Sequence, residues 1–118
     1  MGSVWNKRRE ERRTKVIRHI SIFELKNEWK ENGTQKLISL LEEVASCKLI
    51  QKSVIGINIT RIPKTAGIET PVFGDVIQSI DFRDRYAAAA YPRSIEHQNL
   101  LEQSKHMIEH VTAIDFEI

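Results

Sequence analysis

The sequence predicts a single α+β domain in which a small, partly antiparallel β-sheet carries three to four packed helices. Three observations predict it. Segments with apolar residues at helical spacing alternate with segments in which every second residue is apolar. A length of 118 residues with 41% hydrophobic positions suits one core. No internal repeat or linker composition divides residues 14–118, whereas residues 1–13 form a basic N-terminal arm.

Composition excludes several classes of protein. The longest apolar run, residues 87–91, is far shorter than the roughly 20 residues of a membrane span. A single cysteine forms no internal disulfide and suits a reducing compartment. Charges follow the first six residues where a secretory signal needs an apolar segment. We therefore expect a cytoplasmic protein, or a nuclear or host-cytosolic one if the source is eukaryotic or viral, with no secretion and no membrane partner.

The first third of the chain predicts a strand and two helices. Residues 14–22 alternate imperfectly, which predicts a short strand. Ser21 and Glu24 have the spacing of a capping box, which predicts a helix over residues 22–31. Thr34 is then in place to cap a second helix that reaches about Cys47.

The middle of the chain predicts a β-hairpin with a long connection. Ile55, Ile57 and Ile59 alternate with smaller or polar residues, which predicts a strand over residues 53–62. Residues 63–74 are rich in turn formers and predict a flexible or functional loop. Residues 76–82 alternate again and predict an antiparallel partner strand, with a helix from Asp75 as the alternative.

The last third predicts two helices and a terminal strand. Four alanines favour a helix that Pro92 ends. Ser94 is in place to cap a longer helix over residues 95–110. Residues 114–118 alternate and predict a closing strand whose edge another copy of the chain can extend.

Charge is segregated between the two ends of the chain. Residues 1–20 hold seven basic and two acidic residues, whereas residues 94–118 hold one basic and five acidic residues. This asymmetry predicts that the N-terminal arm contacts a partner protein or a nucleic acid, although a solvated helix would have the same composition. The predicted contact residues in the arm are Trp5, Lys7, Arg8, Arg9, Arg12 and Arg13.

Motifs for catalysis or metal binding are weak. His106 and His110 lie four apart within the predicted long helix and match the spelling of an inverted zinc-peptidase motif, but no third ligand follows on a separate element. Cys47 has no spacing that favours pairing with His19 or His97. Phosphate-binding and dinucleotide-binding glycine patterns are missing from the sequence, so we expect no cofactor.

These patterns predict a non-enzymatic binding, assembly or regulatory protein that acts as a homo-oligomer and uses its basic arm to contact partners. Small residues framed by tyrosines allow close approach of another chain, and the terminal strand offers an edge. The predicted oligomer contacts are Tyr86, Ala88, Tyr91, Ile114 and Phe116.

Two alternative functions stay open at this point. Two helices followed by two strands resemble the order of a winged helix that binds DNA or RNA, with Arg61 and Lys64 on its wing. A small enzyme or metal-binding protein that uses His106 and His110 is the other alternative.

Overall fold

A computed structural model describes residues 15–60 and 74–118, together with the backbone of residues 64–65 and 68–69. The strands, in chain order, are β1 (Ile17–Leu25), β2 (Ile50–Ile57), β3 (Lys64–Thr65), β4 (Ile68–Glu69), β5 (Val76–Phe82) and β6 (Ile108–Glu117). The α-helices are α1 (Gly33–Val44), α2 (Arg85–Ala90) and α3 (Ile95–Ser104), and 3-10 turns cover Asn27–Trp29 and Tyr91–Arg93.

Four strands form one antiparallel sheet in the order β2-β5-β1-β6, and β3 pairs with β4 separately. The element order of this unit is βαββαβ, in which helices connect β1 to β2 and β5 to β6. This is a ferredoxin-like α+β fold with three helices on one face of the sheet. The predicted fold class is confirmed, and the winged-helix arrangement is wrong.

The core lies between the helices and one face of the sheet. In β1 the odd-numbered residues from Ile17 to Leu25 point toward the helices, and β5 contributes its even-numbered residues from Val76 to Phe82. Helix α1 faces them with Leu37, Leu41 and Val44, whose spacing places them on one side of a helix. Two helices begin at side-chain caps: Asp84 accepts from the Ala87 amide at 2.8 Å, and Ser94 accepts from the His97 amide at 3.1 Å.

Several predicted elements have different boundaries or a different type. The strand predicted over residues 14–22 is β1 at 17–25, and the strand predicted over residues 53–62 is β2 at 50–57. The Thr34 cap is wrong, because α1 begins at Gly33 and has no side-chain cap.

The helix predicted over residues 22–31 is wrong, because residues 22–25 continue β1 and pair with β6. The helix predicted to end at residue 110 ends at Ser104, where a turn buries Met107 in the core. The terminal strand therefore begins at Ile108, six residues before its predicted start.

The other side of the sheet, called here the open face, carries no helix in the described part of the chain. Rows of side chains on the open face run across all four strands. The strand register places Ile114, Ile20, Ser79 and Val54 side by side in one such row. The apolar residues of the open face are Ile20, Ile22, Val54, Ile77, Ile114 and Phe116. The open face is therefore an apolar surface of a type that partner chains commonly cover.

An ion pair borders the apolar rows of the open face. Arg18 donates from Nε to Asp81 Oδ1 at 2.8 Å and from Nη2 to Asp81 Oδ2 at 3.1 Å. These hydrogen bonds lower the pKa of the Asp81 carboxyl below its usual value. Such a carboxyl stabilises the fold above its unfolded-state pKa, and that contribution disappears as the pH falls through the folded-state pKa.

We therefore expect acid to destabilise the native protein below about pH 4 more than it destabilises Asp81→Asn. The variant has no carboxyl to titrate at this position, and at neutral pH it is less stable than the native protein because Arg18 loses its partner. Urea unfolding at neutral and acidic pH measures the difference. Glu102→Gln is the control, since Glu102 pairs with Lys105 on an exposed surface. Equal acid sensitivity of the native protein and Asp81→Asn would contradict the expectation.

None of the helices in the described residues has the length and apolar character needed to span a membrane.

Candidate functional site

A cavity of about 430 Å³ lies between α3 and the helix-facing side of β1 and β6. Polar groups that can titrate or donate line part of its wall, among them His19, Ser21, Tyr91, His97 and His110, and the charged Lys105 and Glu109 line it too. Apolar side chains line much of the remaining wall: Phe23, Leu100, Leu101, Ile108 and Val111. A few convergent polar groups in a mainly apolar cavity are typical of a small-molecule site.

A larger groove of about 620 Å³ separates the second half of α1 from the first half of α3. Its ionisable lining residues are all acidic: Glu43, Glu96 and Glu102. The groove thus lacks the combination of acid and base that the smaller cavity has, so the chemistry of the fold is concentrated in the smaller cavity.

His97 and Tyr91 form an edge-on pair, with ring centroids 4.8 Å apart. Tyr91 lies in the 3-10 turn, and the Ser94 cap begins α3 so that His97 falls in its first turn. The Pro92 carbonyl can only accept, so the His97 Nδ1 that lies 3.2 Å from it carries the proton. The neutral ring then keeps the lone pair on Nε2.

Burial sets the protonation of both rings. It lowers the pKa of His97, against an opposing hydrogen bond to Pro92, so the imidazole is neutral at neutral pH. It raises the pKa of Tyr91 well above its usual value, so the hydroxyl keeps its proton. The cavity therefore contains an imidazole that can accept a proton and a phenol that can donate a hydrogen bond.

A second imidazole, His19, reaches the cavity from β1. Strand pairing places His19 opposite Asp115, and Nδ1 of His19 lies 2.5 Å from Asp115 Oδ1. Its Nε2 lies 2.8 Å from the hydroxyl of Ser21, two residues further along the same strand face. The His19 and Tyr91 ring centroids are 6.2 Å apart, which joins the two groups into one cluster.

The metal motif predicted from the sequence is not a helical site. His106 lies in the turn after α3 and packs edge-on against Trp29 at 5.1 Å, whereas His110 lies on β6. Because α3 ends at Ser104, the two imidazoles do not share a helix face, and the premise of the prediction is wrong. In the ranges that the structure describes, no three histidine, cysteine or acidic residues are grouped to hold a metal ion.

The predicted arm contacts lie outside the described residues, and so does Arg61. These arm contacts are Trp5, Lys7, Arg8, Arg9, Arg12 and Arg13. Lys64 is described only by its backbone, which belongs to β3. Contact of these residues with a partner stays a prediction.

The predicted oligomer contacts occupy two different environments. Ile114 and Phe116 are exposed on the open face, and Tyr86 is exposed on α2 beside the half-buried Ala88. Tyr91 is only 4% exposed and packs against Phe82, with ring centroids 5.2 Å apart. Tyr91 therefore belongs to the core and the cavity wall, because the turn that follows α2 directs its ring inward.

Sequence reasoning missed the cavity residues. In β1 the odd-numbered residues face the helices, whereas Ile20 and Ile22 lie on the open face. The available signal was the pair His19 and Ser21, two polar residues at a spacing of two on a strand face whose other members are Ile17, Phe23 and Leu25. Polar groups on a buried strand face need partners, which often marks a functional site.

The fold and cavity define a class of small ferredoxin-like proteins, and comparison with known proteins gives the family. The Stress responsive A/B Barrel Domain family, Dabb, matches residues 17–118. The chain belongs to this family. A comparison with curated proteins gives no match.

Solved structures with the same fold come from bacteria and plants. A dimeric ferredoxin-like protein from Thermobifida fusca is 19% identical, with a TM-score of 0.68 over 88% of this chain and 92% of that one. A Dabb family protein from Mesorhizobium loti is also 19% identical, with a TM-score of 0.64 over 86% and 95% of the two chains. The hydroxynitrile lyase of Passiflora edulis is 11% identical, with a TM-score of 0.69 over 89% and 94%.

Proposed function

We propose that this protein binds a small organic molecule in the cavity beside α3 and transfers a proton at a hydroxyl or carbonyl group of that molecule. The observation that carries the proposal is the edge-on pair of Tyr91 and His97 inside a cavity with apolar walls. Proton transfer needs a base that is free to accept and a donor that stabilises the oxygen where charge develops.

His97 is the base and Tyr91 the donor in this proposal. The lowered pKa of His97 keeps its Nε2 lone pair available at neutral pH. The raised pKa of Tyr91 keeps its hydroxyl proton in place for an oxygen of the ligand. Since both effects result from burial, a ligand that excludes water from the cavity strengthens them.

The walls of the cavity define the rest of the ligand. Leu100, Leu101, Ile108 and Val111 offer apolar contact, and a volume of about 430 Å³ suits a molecule with one ring or a short chain. The similarity in fold to the hydroxynitrile lyase supports a small hydroxylated or carbonyl compound as the ligand class. The non-enzymatic role predicted from the sequence stays a prediction. The cavity favours the alternative of a small enzyme, with His97 as the base; of the two histidines which that alternative named, His110 lines this cavity and His106 packs against Trp29.

Titration with benzaldehyde, followed by NMR shifts of the His97 ring and the Leu100 methyl groups, tests the proposal. We expect saturable shifts confined to the cavity. Val111→Trp should abolish them, because Val111 is half exposed at the cavity wall and a large ring there fills the site at little cost to the core. Ile95→Trp, on the exposed side of α3, is the matched control. Shifts that survive Val111→Trp, or that lie elsewhere, would contradict the proposal.

The dimer we propose forms through the open face. Two solved structures of this fold, from Thermobifida fusca and Bacteroides fragilis, are of dimeric proteins. One chain supplies four strands of an open sheet, whereas about eight strands close a barrel with a filled interior. Two chains with their open faces packed together supply eight strands. Each chain then covers the apolar side chains of the other, including Ile20 and Ile114.

A further inference from the structure

Asp115, His19 and Ser21 form a hydrogen-bonded chain that the proposed proton transfer does not use; His19 and Ser21 line the cavity and Asp115 lies outside its lining. Asp115 Oδ1 lies 2.5 Å from His19 Nδ1, and His19 Nε2 lies 2.8 Å from Ser21 Oγ. Ser21 lines the cavity and is only 5% exposed, so its hydroxyl faces the ligand space rather than bulk water. The order carboxylate, imidazole, hydroxyl is the arrangement that activates a serine nucleophile.

The chemistry of the partners fixes the direction of the hydrogen bonds. An ionised carboxylate has no proton to donate, so Nδ1 of His19 donates to Asp115. When the ring is neutral, Nε2 carries a lone pair and accepts from the Ser21 hydroxyl. The hydroxyl proton is therefore already directed at the base that would remove it.

Strand geometry holds this arrangement in place. His19 and Ser21 are two residues apart on β1 and share its helix-facing side, while β6 places Asp115 directly opposite His19. All three side chains thus project from paired strands, which position functional groups more rigidly than loops do.

We propose that Ser21 is a nucleophile that forms an acyl-enzyme with small apolar carboxylic esters, activated by His19 and positioned by Asp115. This inference rests on the proposed function only in that both use the same cavity. Ser21 Oγ forms a bond to the ester carbonyl carbon while its proton passes to His19 Nε2. The ester C–O bond then breaks, and the His19 proton passes to the departing alkoxide, which leaves as an alcohol.

Water completes the cycle. His19 takes one proton of a water molecule, and the hydroxide attacks the acyl carbon. The bond to Ser21 Oγ breaks, the serine recovers its proton from His19, and a carboxylic acid is released. Tyr91 lines the same cavity, and its hydroxyl is the donor that we assign to the oxygen of the tetrahedral intermediate.

Ser104 provides a matched control within the same cavity. It lines the wall and is as deeply buried as Ser21, but its hydroxyl donates to the Leu100 carbonyl at 2.7 Å. A carbonyl cannot take the proton away, so we expect Ser104 to be unreactive. Alkylphosphonyl fluorides, which react with activated serines, therefore discriminate between the two hydroxyls.

The experiment incubates the full chain with an alkylphosphonyl fluoride and with p-nitrophenyl butyrate, and reads adducts by intact-mass and peptide mass spectrometry. We expect one adduct, at Ser21. It should be absent in Ser21→Ala and retained in Ser104→Ala, with circular dichroism confirming that both variants fold. An unlabelled native protein, or labelling that persists in Ser21→Ala, would overturn the proposal.

Asp115 tests the positioning part of the inference. Its side chain is 60% exposed, so we expect Asp115→Asn to slow labelling about tenfold, short of the roughly 10,000-fold loss known for a buried triad carboxylate. Asp115→Glu should restore part of the rate, which a merely structural role would not do. Equal rates in the native protein and Asp115→Asn would overturn the role of Asp115.

Benzaldehyde binding separates this inference from the proposed function. Benzaldehyde binding in the cavity without labelling of Ser21 overturns the nucleophile and leaves the proposed function standing. Labelling of Ser21 without benzaldehyde binding overturns the proposed function and leaves Ser21 as the nucleophile.

Discussion

Ile114→Asp is expected to convert the proposed dimer into a monomer. Ile114 is 62% exposed in a single chain, so the substitution removes little packing within the fold. Across two facing sheets it places a carboxylate opposite the apolar row that contains Ile20. Burial of an unpaired charge costs several kcal/mol, and ~4 kcal/mol corresponds to roughly a thousandfold weaker association.

Sedimentation velocity over a wide concentration range measures this effect. Ile95→Asp is the control, because Ile95 is equally apolar and more exposed but lies on α3, on the opposite side of the sheet. We expect the control to remain dimeric. A dimer that survives Ile114→Asp, or one that Ile95→Asp dissociates, would place the interface elsewhere.

Gly74→Ala is expected to destabilise the fold by about 2–4 kcal/mol. Gly74 has a φ of 89°, in the left-handed region that glycine adopts without strain. A Cβ built there would lie 2.2 Å from Cγ2 of Ile22, a branched side chain on β1 with little freedom to move aside. The backbone strain and this clash therefore both lower the stability of the variant.

The matched control is Gly56→Ala, on the exposed strand β2. A Cβ at Gly56 meets no atom within 4 Å, so its effect should be small, with a slight gain because alanine costs less entropy in a strand. Denaturant unfolding of both variants measures the difference. Similar stability changes for the two substitutions would contradict the role assigned to Gly74.

The fold class could be predicted from the sequence because the segments with the strongest apolar periodicity do form helices and strands in the structure. Helix α1 buries Leu37, Leu41 and Val44, which recur at helical spacing, and β5 is antiparallel to β2. The Ser94 cap is also confirmed. The capping box of Ser21 and Glu24 fails because strand pairing competes with it: the same residues lie in β1 and are paired on both sides. Local capping signals cannot reveal such long-range pairs.

The candidate site was predictable only in part. His19 meets Asp115 across 96 residues of sequence, and this distance in the chain leaves no spacing motif to detect. Helix α3 ends at Ser104, so His110 lies on β6 and not on the predicted helix. The spacing of His106 and His110 therefore does not place the two imidazoles on one helix face, as a metal site of this type needs. Only the polar pair His19 and Ser21, on a strand face otherwise formed by apolar residues, gave a local indication.

A crystal structure of the protein with benzaldehyde bound tests the central proposal most directly. We expect the ring between α3 and β6 and the carbonyl oxygen within hydrogen-bond distance of the Tyr91 hydroxyl, with His97 beside it. An empty cavity with the aldehyde bound in the acidic groove between α1 and α3, or on the open face, would contradict the assignment of this cavity as the functional site.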